Sequence, residues 1–276
     1  MILTNDVKKA IASHAKEVEP LECAGLILQN GENQEARKLK NLSAEARYHC
    51  FVEFDEIAKV AAGDKTLAIY HSHFESDNFS LEDKVISEKF NIKLVLYCSS
   101  NGVFKNYEPN GFTAPYVDRP WRQGIFTCID IIQDYYKKEL NISINGWENE
   151  MLSVDPGDEQ HFPTLKLKHI DLGIFYSKTF SNLIYQKYSK IHAFNQIYLN
   201  FLLKNGFKLV KDFQKHDILL TVGSALGREN FVSHGAIFLG DNKLLHHAYR
   251  RKSVVEKFGN NFKSSLRYIL RHETLL

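Results

Sequence analysis

Two histidines stand at i and i+2 in His71-Ser72-His73, and Asp83 follows Ser80 in the run Ser80-Leu81-Glu82-Asp83. Successive side chains of a strand point to opposite faces, so an i, i+2 pair at a strand end shares one face. Two neutral imidazoles placed that way can reach one ion. Ser80 has the chemistry of a helix N-cap and Asp83 sits at the capping-box position. That spacing puts the carboxylate on the first helical turn, facing back toward the strand end. Two imidazoles and one carboxylate leave a fourth tetrahedral position for water, the layout of a catalytic zinc (Zn2+) and not of a structural one. Such a centre also needs an acid that is not a ligand, to take a proton from that water. Glu22 opens the apolar run Cys23-Ala24-Gly25-Leu26, an unusual place for an unpaired charge, and is the candidate. The Ser80 hydroxyl can hydrogen-bond a developing oxyanion as well as cap the helix. Taken singly, each residue has a plainer reading: a satisfied histidine pair, a helix-terminus charge, a surface acid. Their succession in one stretch of chain tips the balance toward a metal site.

A second set lies downstream. Cys128 begins the amphipathic run Cys128-Ile129-Asp130-Ile131-Ile132. The free N–H groups and positive dipole end of a helix start stabilise a thiolate and lower its pKa. A thiolate nucleophile needs a partner base that later protonates the leaving amine. His234 begins an apolar run that turns at Gly240-Asp241-Asn242 and returns to His246. A two-strand hairpin can set His246 behind His234 as the third member of a triad, with His247 a bystander. The plainer reading of Cys128 is a buried helix cysteine. Cys23, Cys50 and Cys98 lie in strand-like apolar settings and read as core residues. The four cysteines show no framework spacing, so reduced thiols are expected.

The elements that must carry these groups follow from periodicity. Asn5 to Val18 reads as an amphipathic helix stopped by Pro20, and Cys23 to Leu28 as a strand ended by Asn30-Gly31. Tyr48 to Phe54 alternates as a strand, with a short helix from Phe54-Asp55 to Ala62 after it. A strand over Thr66 to Tyr70 runs into the histidine pair. A helix from Ser80 to about Phe90, a strand over Ile92 to Cys98 and another over Val103 to Tyr107 complete an αβ unit. Turn formers from Glu108 to Pro115 mark a boundary. Domains over residues 1–112 and 118–276 follow. The second has helices over Cys128 to Leu140 and Phe194 to Asn205, then strands over Ile218 to Val222, Gly235 to Leu239 and Lys243 to His247. The fold class is α+β in two domains. Residues 143–192, with a loop at Ser153 to Asp158 and the aromatics Phe175, Tyr176, Phe180, Tyr185 and Tyr188, read as an insertion. It is either a docking surface or an extra packed helix.

Composition bounds the function. A hydrophobic fraction of 44% in 276 residues supports packed cores. Thirty-five basic against 33 acidic residues give a formal charge of +2, which offers no basic footprint for nucleic acid. No apolar run reaches the roughly 18 residues of a membrane span. The start, Met1-Ile-Leu-Thr-Asn-Asp, lacks the basic region and long apolar run of a secretory signal, so folding in the cytosol that makes the chain is expected.

Glu22 to Gly25, the His-x-His pair and Ser80 to Asp83, in that order, resemble the JAB/JAMM (MPN+) metallopeptidases, over roughly residues 1–108. The resemblance implies a cytidine-deaminase-like αβ sheet domain. In it His71, His73 and Asp83 are zinc ligands, Glu22 the general base and Ser80 the oxyanion helper. Phe74 stands where that family often has proline, and the spacer between His73 and Ser80 is six residues where seven is expected. The segments Gly124 to Asp130, His216 to Leu220 and His234 to His247 resemble the NlpC-type, papain-like peptidoglycan endopeptidases. Cys128, His234 and His246 are then the catalytic set. Thr127, His216 and Ala236 replace an Asp and two Gly residues of that family.

The two domains in tandem resemble the tail assembly proteins K of lambdoid phages. That resemblance implies a hydrolase of peptide bonds made in the host cytoplasm, with the virion tail tip as a second location. Phage tail-tip proteins would be its partners and peptidoglycan (murein) stem peptides its substrate. Two other readings stand beside it: a non-catalytic assembly module with relic sites, and an isopeptidase acting on ubiquitin-like conjugates.

Overall fold

A computed structural model describes residues 1–43, 45–50, 52, 66–122, 125–147, 197–222 and 232–276. The described residues form two compact units, one from Met1 to Ala114 and one from Pro115 to Leu276. Each is a mixed α/β unit with its own sheet.

The first unit opens with helix α1, Asn5–Val18, whose N-cap Thr4 accepts from the Val7 N–H. Strands β1 (Ala24–Asn30) and β2 (Asn33–Leu39) form an antiparallel hairpin, in which Gly31 takes a positive φ of 61° at the turn. Strand β3, Thr66–His73, pairs antiparallel with β1 and parallel with β4, Leu94–Cys98. Strand β5, Phe104–Tyr107, closes the sheet in the order β2-β1-β3-β4-β5. Two parallel neighbours need a crossover, and helix α2, Leu81–Phe90, supplies it between β3 and β4. That topology sets the end of β3 beside the start of α2, at the carboxyl ends of parallel strands where open α/β sheets place their sites. Val7, Ile11 and Ala15 of α1 pack on Ile27, Ala68, Tyr70 and Val95, covering one face. Ala24, Leu26, Leu28, Val52, Ile69 and Leu94 fill the other.

In the second unit helix α3, Cys128–Leu140, precedes helix α4, Ile197–Lys204. An antiparallel sheet follows in the order β10-β9-β8-β7-β11-β6. Its strands are β6 (Phe207–Val210), β7 (Ile218–Val222), β8 (Val232–Gly240), β9 (Lys243–His246), β10 (Val254–Lys257) and β11 (Leu266–His272). Helix α5, Asn260–Ser265, lies between β10 and β11 in the chain. Cys128, Ile132 and Tyr136 of α3 pack with Leu220, Ile237 and Leu245 on one face of the sheet. Leu219, Ala236, Leu244 and Phe258 cluster on the other, joined by Phe262 of α5.

Several elements differ from the sequence expectation. Residues 45–48 form a turn, and His49, Cys50 and Val52 are irregular, so no strand runs from Tyr48 through them. Alternation alone does not make a strand without a neighbour to receive its hydrogen bonds. Strand β2 was not expected from its polar sequence Asn33 to Leu39; its place at the sheet edge lets one side stay wet. Strands β6, β10 and β11 and helix α5 were likewise unread. The expected helix over Phe54-Asp55 to Ala62, Gly124, the start of the helix at Phe194, and the Ser153 to Asp158 loop lie outside the described residues. So do Phe175, Tyr176, Phe180, Tyr185, Tyr188 and most of the 143–192 insertion.

Candidate functional site

The first site grows from the pairing of β3. Ala24 pairs with His71, so two residues back along β1 the chain brings Glu22 alongside His73. Ser72, between the histidines, turns its side chain away from them. Its Oγ accepts from the Cys23 N–H at 2.9 Å, and its own N–H donates to the Cys23 carbonyl at 3.1 Å. The Ser99 N–H donates to the His73 carbonyl at 2.9 Å and carries the β3–β4 pairing through the last histidine. Both imidazoles thereby stand on one face, their Nε2 atoms 3.2 Å apart.

Asp83 reaches the same point from the first turn of α2. The Ser80 N–H donates to its Oδ2 at 2.7 Å and the Asp83 N–H to Ser80 Oγ at 3.0 Å, a complete capping box. The carboxylate, held by its own helix start, lies 3.4 Å from His71 Nε2 through Oδ1 and 3.7 Å from His73 Nε2 through Oδ2. Glu22 Oε1 lies 3.7 Å from His73 Nε2, and the residue is 6% exposed. Sequence reasoning passed over Asn41, which helps to hold that strand start. Its side-chain amide donates to the carbonyls of Glu22 at 2.9 Å and His49 at 3.1 Å.

The electrostatics follow from burial and proximity. Desolvation pushes the Glu22 carboxyl up to about 8, only partly opposed by the charge of His71. For Asp83, burial works upward, but the charge and hydrogen bond of His71, with His73 and Ser80, hold the carboxyl well below its ordinary range. Burial opposes charge on His71, yet Asp83 and then Glu22 outweigh it and raise its pKa. His73 is pushed down to about 4 by burial and then by the neighbouring His71.

This donor set fits a zinc ion. His71, His73 and Asp83 each offer a ligand atom, and these atoms lie within 4.8 Å of one another. Tetrahedral ligands at about 2.0–2.1 Å from zinc stand about 3.3–3.4 Å apart. The observed edges of 3.2, 3.4 and 3.7 Å bracket that value.

In the second unit Cys128 is the first residue of α3, behind a capping box of Thr127 and Asp130. The Thr127 N–H donates to Asp130 Oδ2 at 2.9 Å. The thiol is buried and donates to the Tyr198 hydroxyl oxygen at 3.8 Å, a partner that sequence reasoning did not find. Burial pushes the thiol pKa up, and the Gly235 N–H and Tyr198 offset it only in part. That is the reverse of the depression expected from a helix terminus alone.

His234 Nε2 and His246 Nδ1 are 3.0 Å apart, and His246 Nε2 is 3.0 Å from Glu256 Oε1. Both histidine rings pack against Phe262 of α5, with centroids 6.1 and 5.0 Å away. Cys128 belongs to the apolar cluster on the α3 side of the sheet. Among the described residues no hydrogen bond joins Cys128 to His234 or His246. Glu256 left no local sign in the sequence, because only the β9–β10 pairing brings it to His246.

Residues 4–108 match the family of prokaryotic homologs of the JAB domain. Over 148 residues the chain is 26% identical to the Tail tip assembly protein K of Escherichia phage N15. That match takes in 51% of this chain and 60% of the phage protein, less than two thirds of its length. The solution structure of protein DSY2949 from Desulfitobacterium hafniense shares 19% identity, over 38% of this chain and 81% of that one. Its TM-score of 0.33 is too low to argue a common fold. No helix of the described residues is long and apolar enough to cross a membrane. The N-terminal unit is thus similar to the prokaryotic homologs of the JAB domain, and the chain is similar to a phage tail tip assembly protein.

Proposed function

We propose that this chain is a phage tail-tip assembly protein whose N-terminal unit is a zinc-dependent hydrolase of peptide bonds. One observation carries the reading: His71, His73 and Asp83 offer ligand atoms within 4.8 Å of one another, with the buried acid Glu22 3.7 Å from His73. Zinc held by these three residues would supply a Lewis acid that polarises a scissile carbonyl and lowers the pKa of water. Glu22 takes the proton from the attacking water on its carboxylate and returns it to the leaving amine. Burial raises its pKa to about 8, near the range in which a group both accepts and gives a proton at neutrality. The Ser80 Oγ accepts from the Asp83 N–H, so its own O–H is available to a developing oxyanion. Residue by residue, this repeats the roles that the JAB/JAMM resemblance implies.

The C-terminal unit supports a second reading, an NlpC-type, papain-like cysteine endopeptidase cutting murein stem peptides. The His234–His246 pair at 3.0 Å and the Gly235 N–H beside the Cys128 thiol favour it. In this reading Cys128 is the nucleophile, His234 the base and His246 its orienter; against it, both histidines pack with Phe262 on the face of the sheet opposite the Cys128 cluster. Other tail-tip proteins are the partners, in the host cytoplasm during assembly and at the tail tip of the virion.

The test is a pair of single variants assayed on murein stem peptides, on tail-tip partner proteins and for infectious tails. Loss of proteolysis in Glu22→Gln, with zinc content kept, supports the zinc hydrolase. Loss of murein cleavage in Cys128→Ala alone supports the cysteine site. If the wild type cleaves none of these substrates and both variants still give infectious tails, the chain is an assembly module and both catalytic readings fall. Cleavage of a ubiquitin-like conjugate in place of these substrates would make the zinc unit an isopeptidase.

A further inference from the structure

Three adjacent antiparallel strands carry His234, His246 and Glu256 in one file. Ala236 pairs with His246, and His246 with Val254. His234 stands two residues before Ala236 and Glu256 two after Val254. Both therefore share the face of His246 and flank it along a diagonal. The contacts agree: 3.0 Å from His234 Nε2 to His246 Nδ1, and 3.0 Å from His246 Nε2 to Glu256 Oε1.

The proton positions in this file follow from valence. An ionised carboxylate only accepts, so His246 Nε2 must carry the hydrogen. A neutral imidazole has one N–H, which leaves His246 Nδ1 as a lone pair. That lone pair accepts from His234 Nε2–H, and His234 Nδ1 is in turn left bare. Burial keeps both rings neutral: it pushes His234 down to about 3, and it lowers His246 against the opposing pull of Glu256. The other charged or titratable groups acting on the file are His247 and Arg251, both on the chain between β9 and β10 or at its edge, and both opposing positive charge on the rings.

We infer that Glu256 is a positioning residue that sets the tautomer of His246 and, through it, of His234, so that His234 Nδ1 is the free base of the C-terminal site. Its chemical use rests on reading that site as a nucleophilic one. Without the carboxylate the His234–His246 bond can form with the hydrogen on either ring. His234 then spends part of its time with Nδ1 protonated and unable to accept.

The experiment is long-range 1H–15N correlation on the full chain labelled with 15N-histidine, with the two rings assigned by His234→Gln and His246→Gln. In the wild type both rings should show one tautomer, with the hydrogen on Nε2. Glu256→Ala should convert both signals to mixtures, with a proton-bearing Nδ1 emerging on His234. Glu256→Gln keeps the shape of the side chain but donates as well as accepts, so it should still show a mixture, where a merely structural role would be rescued. The Glu256 side chain is 44% exposed, so these variants leave the core untouched. An unchanged single tautomer in Glu256→Ala, or a mixture in the wild type, overturns the inference. The spectra read ring protons and not turnover. Wild-type tautomers beside full murein cleavage by Cys128→Ala would therefore remove the peptidase reading and leave the role of Glu256 intact.

Discussion

His71 and His73 approach to 3.2 Å between their Nε2 atoms, although one strand residue separates them and both are neighbours of the same carboxylate. Two imidazole nitrogens facing each other at that distance have room for one shared proton or one shared ion. The lone pairs of Asp83 beside them favour the ion.

Metal content should track the three ligands. The purified wild-type chain should carry close to one zinc, and His71→Ala should lose affinity beyond the roughly 10–100-fold typical of changing a residue that only hydrogen-bonds a ligand. Ser80→Ala should stay loaded, because the Ser80 main-chain N–H still holds Asp83 at 2.7 Å. Elemental analysis checks all three, and a loaded His71→Ala chain would remove the site.

Glu22 should make the metal-free chain less stable as pH rises. Its folded pKa of about 8 lies above the ordinary carboxyl value, so between the two the unfolded chain releases a proton that the folded chain keeps. The stability it contributes is full below about pH 4.5 and is lost as pH rises through about 8. Glu22→Gln should flatten that slope relative to the wild type in urea titrations on chelator-treated protein. A parallel pair of curves would mean that the carboxyl is not desolvated as described.

Gly25→Ala should destabilise the first unit. A Cβ at residue 25 would fall within contact distance of the Arg37 carbonyl oxygen and the Tyr70 ring, and Tyr70 is itself fully buried. Overpacking of this kind costs about 1–3 kcal/mol, and here one obstacle is backbone that cannot swing aside. A urea midpoint equal to that of the wild type would show that the β1–β2–β3 packing is looser than this.

Arg271→Leu should cost the second unit about 3–5 kcal/mol, because it leaves a buried carboxylate without its partner. Arg271 donates to Asp217 through Nε at 2.8 Å and through an Nη at 3.0 Å, and Asp217 is wholly buried. The double change Arg271→Leu with Asp217→Leu should recover much of the loss. Equal losses in the single and double variants would mean that the pair adds little beyond packing.

What the amino-acid sequence determined by itself was local. The i, i+2 spacing of His71 and His73 and the Ser80 to Asp83 spacing each encode a short-range geometry with period 2 or a first helical turn. For the same reason Cys128 could be read at the start of a helix. The tertiary structure alone decided what depends on neighbours far along the chain. Pairing of β1 with β3 brings Glu22 to His73, pairing of β9 with β10 brings Glu256 to His246, and a polar stretch becomes β2 because β1 offers it an edge. Desolvation belongs to the same class, since it sums over every group packed around a site. It raises the pKa of Glu22 and reverses the helix-start expectation for the Cys128 thiol, and no spacing rule within one segment contains it.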